Sequence, residues 1–367
     1  FNYINKKKLF MTKKLIILGI ETSCDETAVS LIQDDKSGVP KILSNIVSSQ
    51  FDVHKEFGGV VPELAARSHV EKIDLIAKKA IKESGVGVDQ ISAIAATAGP
   101  GLIVCLTVGL NFGKAMASSL NIPFISVNHL EGHALSPKLN SKLDYPYLLL
   151  LISGGHSQYL SVNSLGNYKR LGTTIDDALG EAYDKTAKLL GIEFPGGPRL
   201  EEFSKKGDPK RFNLPKPIIN KGGCNLSFAG LKTAILRITK TIKTEQEKFD
   251  LASSFQKTIE EILYTKTKIA FQEFNKINSF EKKNFVVAGG VAANKGIRNK
   301  IIKVSKENSF TPIFPNLKLC GDNAAMIAMV GLERFKINQF SKLDHPAKPR
   351  WPLDEKAAFL KGAGVKL

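Results

Sequence analysis

The sequence has few cysteines and no long apolar run. Its four cysteines, Cys24, Cys105, Cys224 and Cys320, are far apart and form no C-x-x-C pair. This spacing argues against a zinc knuckle and against a disulfide framework. No apolar run approaches the ~20 residues that a transmembrane helix needs; residues 147–152 form one of the longest. We therefore expect a protein of a reducing compartment, the cytoplasm, without a membrane partner.

Acidic residues are also in deficit. The 367 residues include 52 Lys and Arg against 35 Asp and Glu, a formal net charge of +17. A nucleic-acid partner would explain this excess, and so would a lysine-rich composition spread over solvated surfaces. Residues 205–221 contain six cations and three prolines, which predict a loop that contacts a phosphate backbone. A plain solvated loop is the alternative.

The chain is long enough for two ordinary domains, and apolar runs alternate with helical patterns, which predicts an α/β layer fold. Residues 1–10 precede Met11, and we expect them to be a disordered extension. We expect an N-terminal lobe over residues 11–144 and a C-terminal lobe over 145–330. Residues 331–367 are then a final segment that packs back on the first lobe.

Each predicted lobe opens on two apolar strands joined by a short polar turn. The first turn, Glu21–Thr27, carries hydroxyls and acids that can grip a phosphate or its metal, with a plain surface hairpin as the alternative. The second turn, Ser153–Ser157, has two glycines that let backbone N–H groups approach an oxyanion. This repeat suggests a duplicated architecture. The phosphate-loop candidates in the first turn are Thr22, Ser23, Cys24 and Glu26.

Two of the six histidines, His129 and His133, are four residues apart and follow the apolar run Ile122–Val127. In a helix this spacing places both rings on one face, a common geometry for two ligands of one metal ion. Histidines that cap the helix or bond within the core are the alternative. Glu131 lies about 200° round the helix from His129. It would point away from the metal, and the H-E-x-x-H motif of metalloproteases is absent.

Asp322 follows a short predicted strand, Ile313–Phe314, at the place where a helix N-cap would fall. Capping is one role for this carboxylate. The other is to complete a metal site with His129 and His133, because two histidines and a carboxylate suit Fe(II) or Zn(II) and leave coordination positions open. A glycine pair also opens Gly289–Asn294 after another predicted strand, an arrangement typical of nucleotide contacts.

Together these segments resemble the tRNA N6-adenosine threonylcarbamoyltransferase family, once labelled O-sialoglycoprotein endopeptidases. The resemblance extends from about Leu15 to Trp351. Each motif is weak alone, and all of them in this order are specific. The motifs are Gly19–Thr27, His129–His133, Ser153–His156, Asp184–Lys185, Gly196–Pro198, Gly289–Asn294 and Asp322–Asn323.

The resemblance implies the actin-like ATPase (ASKHA) fold, with two similar lobes around a nucleotide-binding cleft. It implies transfer of a threonylcarbamoyl group from threonylcarbamoyl-AMP to N6 of the adenosine just 3′ of the anticodon, with release of AMP. The tRNAs concerned read codons that begin with A. The implied partners are tRNA, a dimerising paralogue (TsaB-like) and a small ATPase (TsaE-like), while a separate enzyme makes the adenylate.

The resemblance also implies the site residues. His129, His133 and Asp322 match the ligands of one divalent metal, Fe(II) first and Zn(II) second, and no general base is identifiable. Gly321 and Ser157 stand where threonine is frequent in the family, which affects the phosphate contacts. The implied substrate contacts are Leu151, Ile152, Ser153, Gly154, Gly155, Asp184, Gly197, Glu201 and Asn294.

Three other functions remain to be weighed at this point. A metalloprotease is disfavoured by the position of Glu131. A sugar kinase or chaperone-type ATPase of the same fold would not need the His, His, Asp site. A non-catalytic scaffold should lack the metal ligands, and this sequence keeps all three.

Overall fold

The computed structural model describes residues 14–57, 59–193, 195–278 and 281–358. Residues 1–10, expected to be a disordered extension, lie outside these ranges. The strands are β1 Ile16–Glu21, β2 Glu26–Gln33, β3 Lys41–Ser49, β4 Ala93–Gly99, β5 Phe124–Asn128, β6 Tyr147–Ile152, β7 Ser157–Ser164, β8 Asn167–Thr173, β9 Asn284–Ala288 and β10 Thr311–Ile313. The α-helices are α1 Phe51–His54, α2 Pro62–Ser84, α3 Ile103–Leu120, α4 His129–Leu135, α5 Leu179–Leu189, α6 Gly196–Ser204, α7 Ala229–Thr239, α8 Glu245–Ile277, α9 Lys295–Glu307 and α10 Ala324–Lys336.

The first compact unit comprises the described residues up to Leu143 together with Asp322–Pro352. Its sheet has the strand order β3-β2-β1-β4-β5. The pairs β1–β2 and β2–β3 are antiparallel, and β1–β4 and β4–β5 are parallel. Every residue of β1 is buried, because helices cover both faces of this central strand. A strand covered on both faces reads as a continuous apolar run, which is how β1 stands out in the sequence.

Helix α10 packs very closely on β1. A Cβ atom added to Gly19 would lie 2.3 Å from the carbonyl oxygen of Ala324, so only glycine fits there. We expected the second lobe to extend to residue 330, but the structure places Asp322–Pro352 in the first unit, because α10 covers the first sheet. From Leu353 onward the described residues belong to the second unit.

The second unit comprises Asp144–Gly321 and the described residues from Leu353. Its sheet has the order β10-β9-β6-β7-β8, with β6–β7 and β7–β8 antiparallel and β6–β9 and β9–β10 parallel. Starting from the first strand of each unit, this is the same order and the same set of directions as in the first sheet. The duplicated architecture that the two hairpins predict is therefore confirmed.

Helix α3 is, within the described ranges, the one helix that is long and apolar enough to cross a membrane by length and composition. It packs on β4 and α2 inside the first unit. A core helix of a globular protein passes the same test, so this single helix is weak evidence of a membrane span.

Candidate active site

Helix α4 begins at the first histidine of the predicted pair because Asn128 caps it. The Asn128 side-chain oxygen accepts a hydrogen bond from the Leu130 N–H at 2.9 Å, and its amide nitrogen donates to the Trp351 carbonyl oxygen at 2.9 Å. A cap held at both ends fixes where the helix starts. His129 and His133 therefore lie one turn apart, with ring centroids 4.8 Å apart and planes at 90°.

The carboxylate of Asp322 faces both imidazole rings. Its Oδ1 atom lies 3.0 Å from Nε2 of His133 and 3.5 Å from Nε2 of His129. The capping role considered for Asp322 is wrong, because the next residue, Asn323, is the N-cap of α10 and accepts from the Met326 N–H at 3.1 Å. Among the residues that the structure describes, His129, His133 and Asp322 form the one cluster with metal-ligand geometry, their donor atoms lying within 4.8 Å of one another.

A second carboxylate, Glu21 at the end of β1, orients the first histidine. Its Oε2 atom lies 3.0 Å from Nδ1 of His129 and accepts a hydrogen bond from the Thr97 hydroxyl. Its Oε1 atom accepts from the Ser23 N–H. With Nδ1–H bonded to Glu21, Nε2 faces Asp322 and is the atom that offers a lone pair to a metal once it loses its proton. This is the carboxylate–histidine arrangement that surrounds metal sites.

The electrostatics of the cluster match this geometry. Burial opposes a charge on His129, but the negative charges of Asp322 and Glu21 outweigh burial and raise its pKa to about 9. Burial would raise the pKa of Glu21, but the positive charge and hydrogen bond of His129 lower it instead. Without a metal ion, the cluster thus holds a proton between two carboxylates. A cation that replaces this proton satisfies the same charges, so the donor set fits Fe(II) or Zn(II).

The β1–β2 turn, predicted to hold a phosphate, is partly occupied by internal hydrogen bonds. The Thr22 hydroxyl donates to the Cys105 carbonyl oxygen at 3.0 Å and accepts from the Gly109 N–H at 3.1 Å. The Ser23 hydroxyl lies 3.1 Å from Nδ1 of His129. Thr22 therefore joins the turn to helix α3, and Ser23 joins it to the histidine pair.

The two remaining candidates in this turn, Cys24 and Glu26, are half-buried in an acidic environment. Burial, with the charges of Asp25 and Asp322, raises the pKa of the Cys24 thiol well above its usual range. Burial and the charge of Asp322 likewise raise the pKa of the Glu26 carboxyl. Cys24 is therefore a neutral thiol at neutral pH and not a thiolate nucleophile.

Glu131 has a structural partner away from the cluster of His129, His133 and Asp322. Its Oε2 atom accepts from Nε and Nη2 of Arg334, on helix α10, at 3.1 and 2.6 Å. This agrees with the prediction from helix geometry that Glu131 points away from the histidine pair. A protease mechanism would need a general base beside the metal, and Glu131 is engaged elsewhere.

In the second unit, the predicted substrate residues 151–155 lie at the end of β6. Leu151 and Ile152 are buried in the sheet. The turn after them closes through a hydrogen bond from the Ser153 N–H to the His156 carbonyl oxygen at 2.8 Å. A Cβ atom added to Gly154 or to Gly155 would have no atom within 4 Å, so this part of the turn is open to a ligand.

The other predicted contacts of the second unit take part in two hydrogen-bonded groups. Oδ1 of Asp184 accepts from the Gly196 N–H at 3.0 Å, next to Gly197. Oε1 of Glu201 accepts from the Lys295 N–H at 2.7 Å, next to Asn294.

Asn294 is the N-cap of α9, and its side-chain amide is held from two sides. Its oxygen accepts from the Ile297 N–H at 2.9 Å and from Nε2 of Gln256 at 3.0 Å, and its nitrogen donates to Gln256 at 3.1 Å. The Tyr183 hydroxyl donates to the same Gln256 at 2.7 Å. Sequence reasoning had singled out neither Gln256 nor Tyr183, because both lie in apolar helical patterns without a motif.

Comparison with known proteins gives a consistent result. The family model described as TsaD, tRNA N6-adenosine threonylcarbamoyltransferase, matches residues 41–329. A protein of that name from Pelagibacter ubique (strain HTCC1062) is 75% identical over 357 residues, which cover 97% of this chain and 100% of the relative. Proteins of the same name from Caulobacter vibrioides and Rickettsia conorii are 49% and 51% identical, and the matches cover 96% and 92% of this chain and 96% and 98% of the relatives.

Solved structures show the fold. HypF from T. kodakarensis matches with a TM-score of 0.57 at 15% identity, over 89% of this chain and 48% of HypF. Full-length HypF in a phosphate- and nucleotide-bound form matches with a TM-score of 0.55 at 13% identity, over 90% of this chain and 47% of HypF. With the family match and the two mixed sheets, these likenesses confirm the α/β actin-like (ASKHA) fold.

Proposed function

The chain belongs to the tRNA N6-adenosine threonylcarbamoyltransferase family, and we propose that it catalyses the reaction of that name. It is an acyltransferase that forms N6-threonylcarbamoyladenosine in tRNA. The observation that carries this conclusion is the 75% identity to a relative of that name over 97% of the chain. We propose threonylcarbamoyl-AMP as the donor, and as acceptor the adenosine just 3′ of the anticodon in tRNAs that read codons beginning with A.

The proposed step is a direct transfer without a covalent enzyme intermediate. N6 of adenosine forms a bond to the carbamoyl carbon and loses a proton, while the bond from that carbon to the phosphate oxygen breaks and AMP leaves with the electron pair. The donor is already activated, so the protein has to position the two reactants and stabilise the developing charge. The neutral Cys24 thiol supports this route, because the turn nearest the metal cluster offers no thiolate.

We propose His129, His133 and Asp322 as ligands of one divalent metal ion, Fe(II) first and Zn(II) second. When bound, the ion supplies positive charge that stabilises the donor's oxygens. Glu21 holds the His129 ring with Nε2 toward Asp322 at 3.5 Å. The Ser23 hydroxyl supports the same ring from Nδ1 at 3.1 Å. These contacts position the ligand set before the ion binds.

In the second unit we propose that the open turn at Gly154 and Gly155 contacts the donor's oxygens through backbone N–H groups. Asp184 and Asn294 would contact the ribose and adenine, with Gly197 and Glu201 beside them. For Asn294 the supporting geometry is rigidity, because Ile297 and Gln256 fix its side chain. Leu151 and Ile152 would hold the turn through the sheet.

The wider setting is also a proposal. We expect the protein to modify tRNA in the cytoplasm, together with a dimerising paralogue and a small ATPase. A separate enzyme makes the adenylate. The supporting observation is the family membership itself.

The test is nucleoside mass spectrometry of tRNA incubated with the protein, its partners, the adenylate-forming enzyme, ATP, bicarbonate and threonine. We expect N6-threonylcarbamoyladenosine with the natural sequence and a loss of product with His133→Ala and Asp322→Ala. Metal content is measured on the same preparations, since these variants should also lose stoichiometric metal. His345→Ala, a histidine outside the cluster, is the matched control and should retain both.

Three outcomes would contradict the proposal. Unmodified tRNA with the natural sequence, under conditions where the adenylate forms and a known family member is active, would overturn the transferase function. Full product from both ligand variants, with no metal bound, would leave the transferase standing but overturn the role of the metal in the reaction. Unchanged metal content in these variants would overturn His133 and Asp322 as ligands.

A further inference from the structure

The positive charge of the chain is concentrated in one stretch of the second unit. Residues 205–248 contain eleven Lys or Arg and three Asp or Glu, a net charge of +8. The chain as a whole has +17, so these 44 residues hold nearly half of the excess. A lysine-rich composition spread evenly over the surface would place only about +2 in a stretch of this length. The excess is therefore local and needs its own explanation.

The loop that begins this stretch is pinned to helix α8 through its backbone. Gly207 packs against the backbone of Phe249, where an added Cβ would lie 2.0 Å from the carbonyl oxygen. The Asp208 N–H donates to Oδ1 of Asp250 at 2.8 Å, and the Phe212 N–H donates to the Ser254 hydroxyl at 3.2 Å. These bonds fix the path of the loop, so its side chains are presented in a set arrangement.

The other end of the loop is anchored by a buried lysine. Nζ of Lys266, on α8, donates to the carbonyl oxygens of Lys221 and Gly223 at 2.9 and 3.2 Å. Lys266 is fully buried, and burial lowers its pKa. An ammonium group so placed serves the loop backbone and not the surface. The loop is therefore a built feature held at both ends, unlike a solvated segment of the same composition.

The cations themselves point outward and are mostly unpaired by carboxylates. Ten of the eleven are exposed, and Lys232 is half-buried. Within the described ranges, ion pairs involve Lys205, Arg211 and Lys216. Two of the three acids of the stretch accept hydrogen bonds from backbone groups: Asp208 accepts from the Lys210 N–H, and Glu247, also the partner of Arg211, accepts from the Lys243 and Thr244 N–H groups. Eight cations thus form no ion pair with the described residues.

We propose that residues 205–248 are the surface on which this enzyme binds the sugar-phosphate backbone of its tRNA substrate. This inference rests on the proposed function for the identity of the RNA. A polyanion fits the surface because phosphates can pair with cations that the protein leaves without carboxylates. The three existing ion pairs are exposed and individually weak, so phosphates can replace their carboxylates. Such contacts position the RNA and do not read its sequence.

The test neutralises four exposed, unpaired cations at once, in the variant Lys210→Gln, Arg237→Gln, Lys240→Gln, Lys243→Gln. The matched control, Lys36→Gln, Lys82→Gln, Lys303→Gln, Lys306→Gln, removes the same charge from exposed positions elsewhere. Dissociation constants for unmodified tRNA are measured with the assembled enzyme at several salt concentrations. The KM for tRNA and kcat of the reconstituted reaction are measured in parallel.

Each lost phosphate contact weakens binding roughly fivefold at 0.15 M salt and reduces the salt slope by about one. If three of the four cations contact phosphates, we expect binding to weaken about 100-fold and the slope to fall by about three. The control should change binding by less than threefold. KM for tRNA should rise while kcat at saturating tRNA stays within about twofold, because these residues position the RNA and do not touch the reacting atoms.

Three results would overturn the proposed surface. The first is an unchanged tRNA affinity in the fourfold variant of residues 205–248, and the second is an equal loss of tRNA affinity in that variant and in the control. The third is that the fourfold variant loses a protein partner on gel filtration while its tRNA affinity is unchanged. The last would assign the surface to an acidic protein. None of these touches the proposed function, which fails separately if the natural sequence makes no N6-threonylcarbamoyladenosine.

Discussion

Replacing Glu21 by glutamine tests whether this carboxylate controls the metal cluster. Glu21 accepts hydrogen bonds on both oxygens, from Ser23 at one and from His129 and Thr97 at the other. Glutamine has the same shape but turns one acceptor into a donor. If its NH2 group faces His129, the ring must accept at Nδ1 and carry its proton on Nε2, the atom that faces Asp322. Nε2 of His129 then has no lone pair to offer a metal ion.

Two estimates of the size of this effect agree. Loss of a carboxylate behind a histidine ligand costs roughly 10–100-fold in metal affinity, which is about 1.4–2.7 kcal/mol. A hydrogen bond to a charged group is worth about 1.5–3 kcal/mol. We therefore expect Glu21→Gln to weaken metal binding 10–100-fold. The affinity is measured by competition with a chromogenic chelator, and the tautomer of His129 by nitrogen-15 NMR of the imidazole.

Glu131→Gln is the matched control for this prediction. It removes the same charge from helix α4, two residues from His129, but its partner is Arg334 and not a ligand. We expect metal affinity within about twofold of natural and a lower free energy of unfolding, because a buried ion pair is broken. The reasoning would be refuted if Glu21→Gln bound metal normally, or if both variants lost affinity equally.

Three further predictions follow from contacts in the two units. Without metal, the raised pKa of His129 stabilises the fold at pH values below 6.5, the ordinary histidine pKa, and this stabilisation is lost as the pH rises through about 9. Thermal melts should show the free energy of unfolding fall by at most roughly 3 kcal/mol over that pH range. Added metal should remove this pH dependence. Asn294→Ala removes the cap of α9 and should lower the free energy of unfolding by about 0.5–2 kcal/mol in urea, whereas an unchanged value would contradict the capping role. Lys266→Met leaves the carbonyl oxygens of Lys221 and Gly223 without their donor, so limited proteolysis should cut near Lys221 faster than in the natural protein. Equal rates would mean that Lys266 does not hold the loop.

The central strands and the parallel edge strands β5 and β10 were predictable from the sequence, whereas the antiparallel edge strands β3 and β8 were not. Strand β6, Tyr147–Ile152, is a continuous apolar run because it is buried on both faces, and it was predicted with these bounds. Strands β3 and β8 lie at sheet edges and carry exposed polar side chains, so their sequences lack a strong apolar period. Their pairing depends on the neighbouring strand and not on their own composition.

The candidate site shows the same limit. His129 and His133 could be paired from spacing alone, because four residues make about one helical turn. The contact between His129 and Glu21 spans 108 residues, and no periodicity reports on such a distance. An acid directly after a buried strand is the one local signal for Glu21. Asp322 and Asn323 are both residue types that cap helices. In the structure Asn323 caps α10, and the carboxylate of Asp322 faces the histidines.

The position of helix α10 has a consequence for synthesis on the ribosome. The face of the first sheet that includes Gly19 is covered by a helix that begins at Ala324, about 180 residues after the first unit's initial segment ends at Leu143. At roughly 5–20 residues per second, that face stays bare for about 10–40 s in the nascent chain. The second unit can therefore fold before the first is complete. Chaperones that bind nascent apolar surfaces should meet this face in vivo. Asp322, the last of the three proposed metal ligands to be made, is synthesised just before the helix that covers this face.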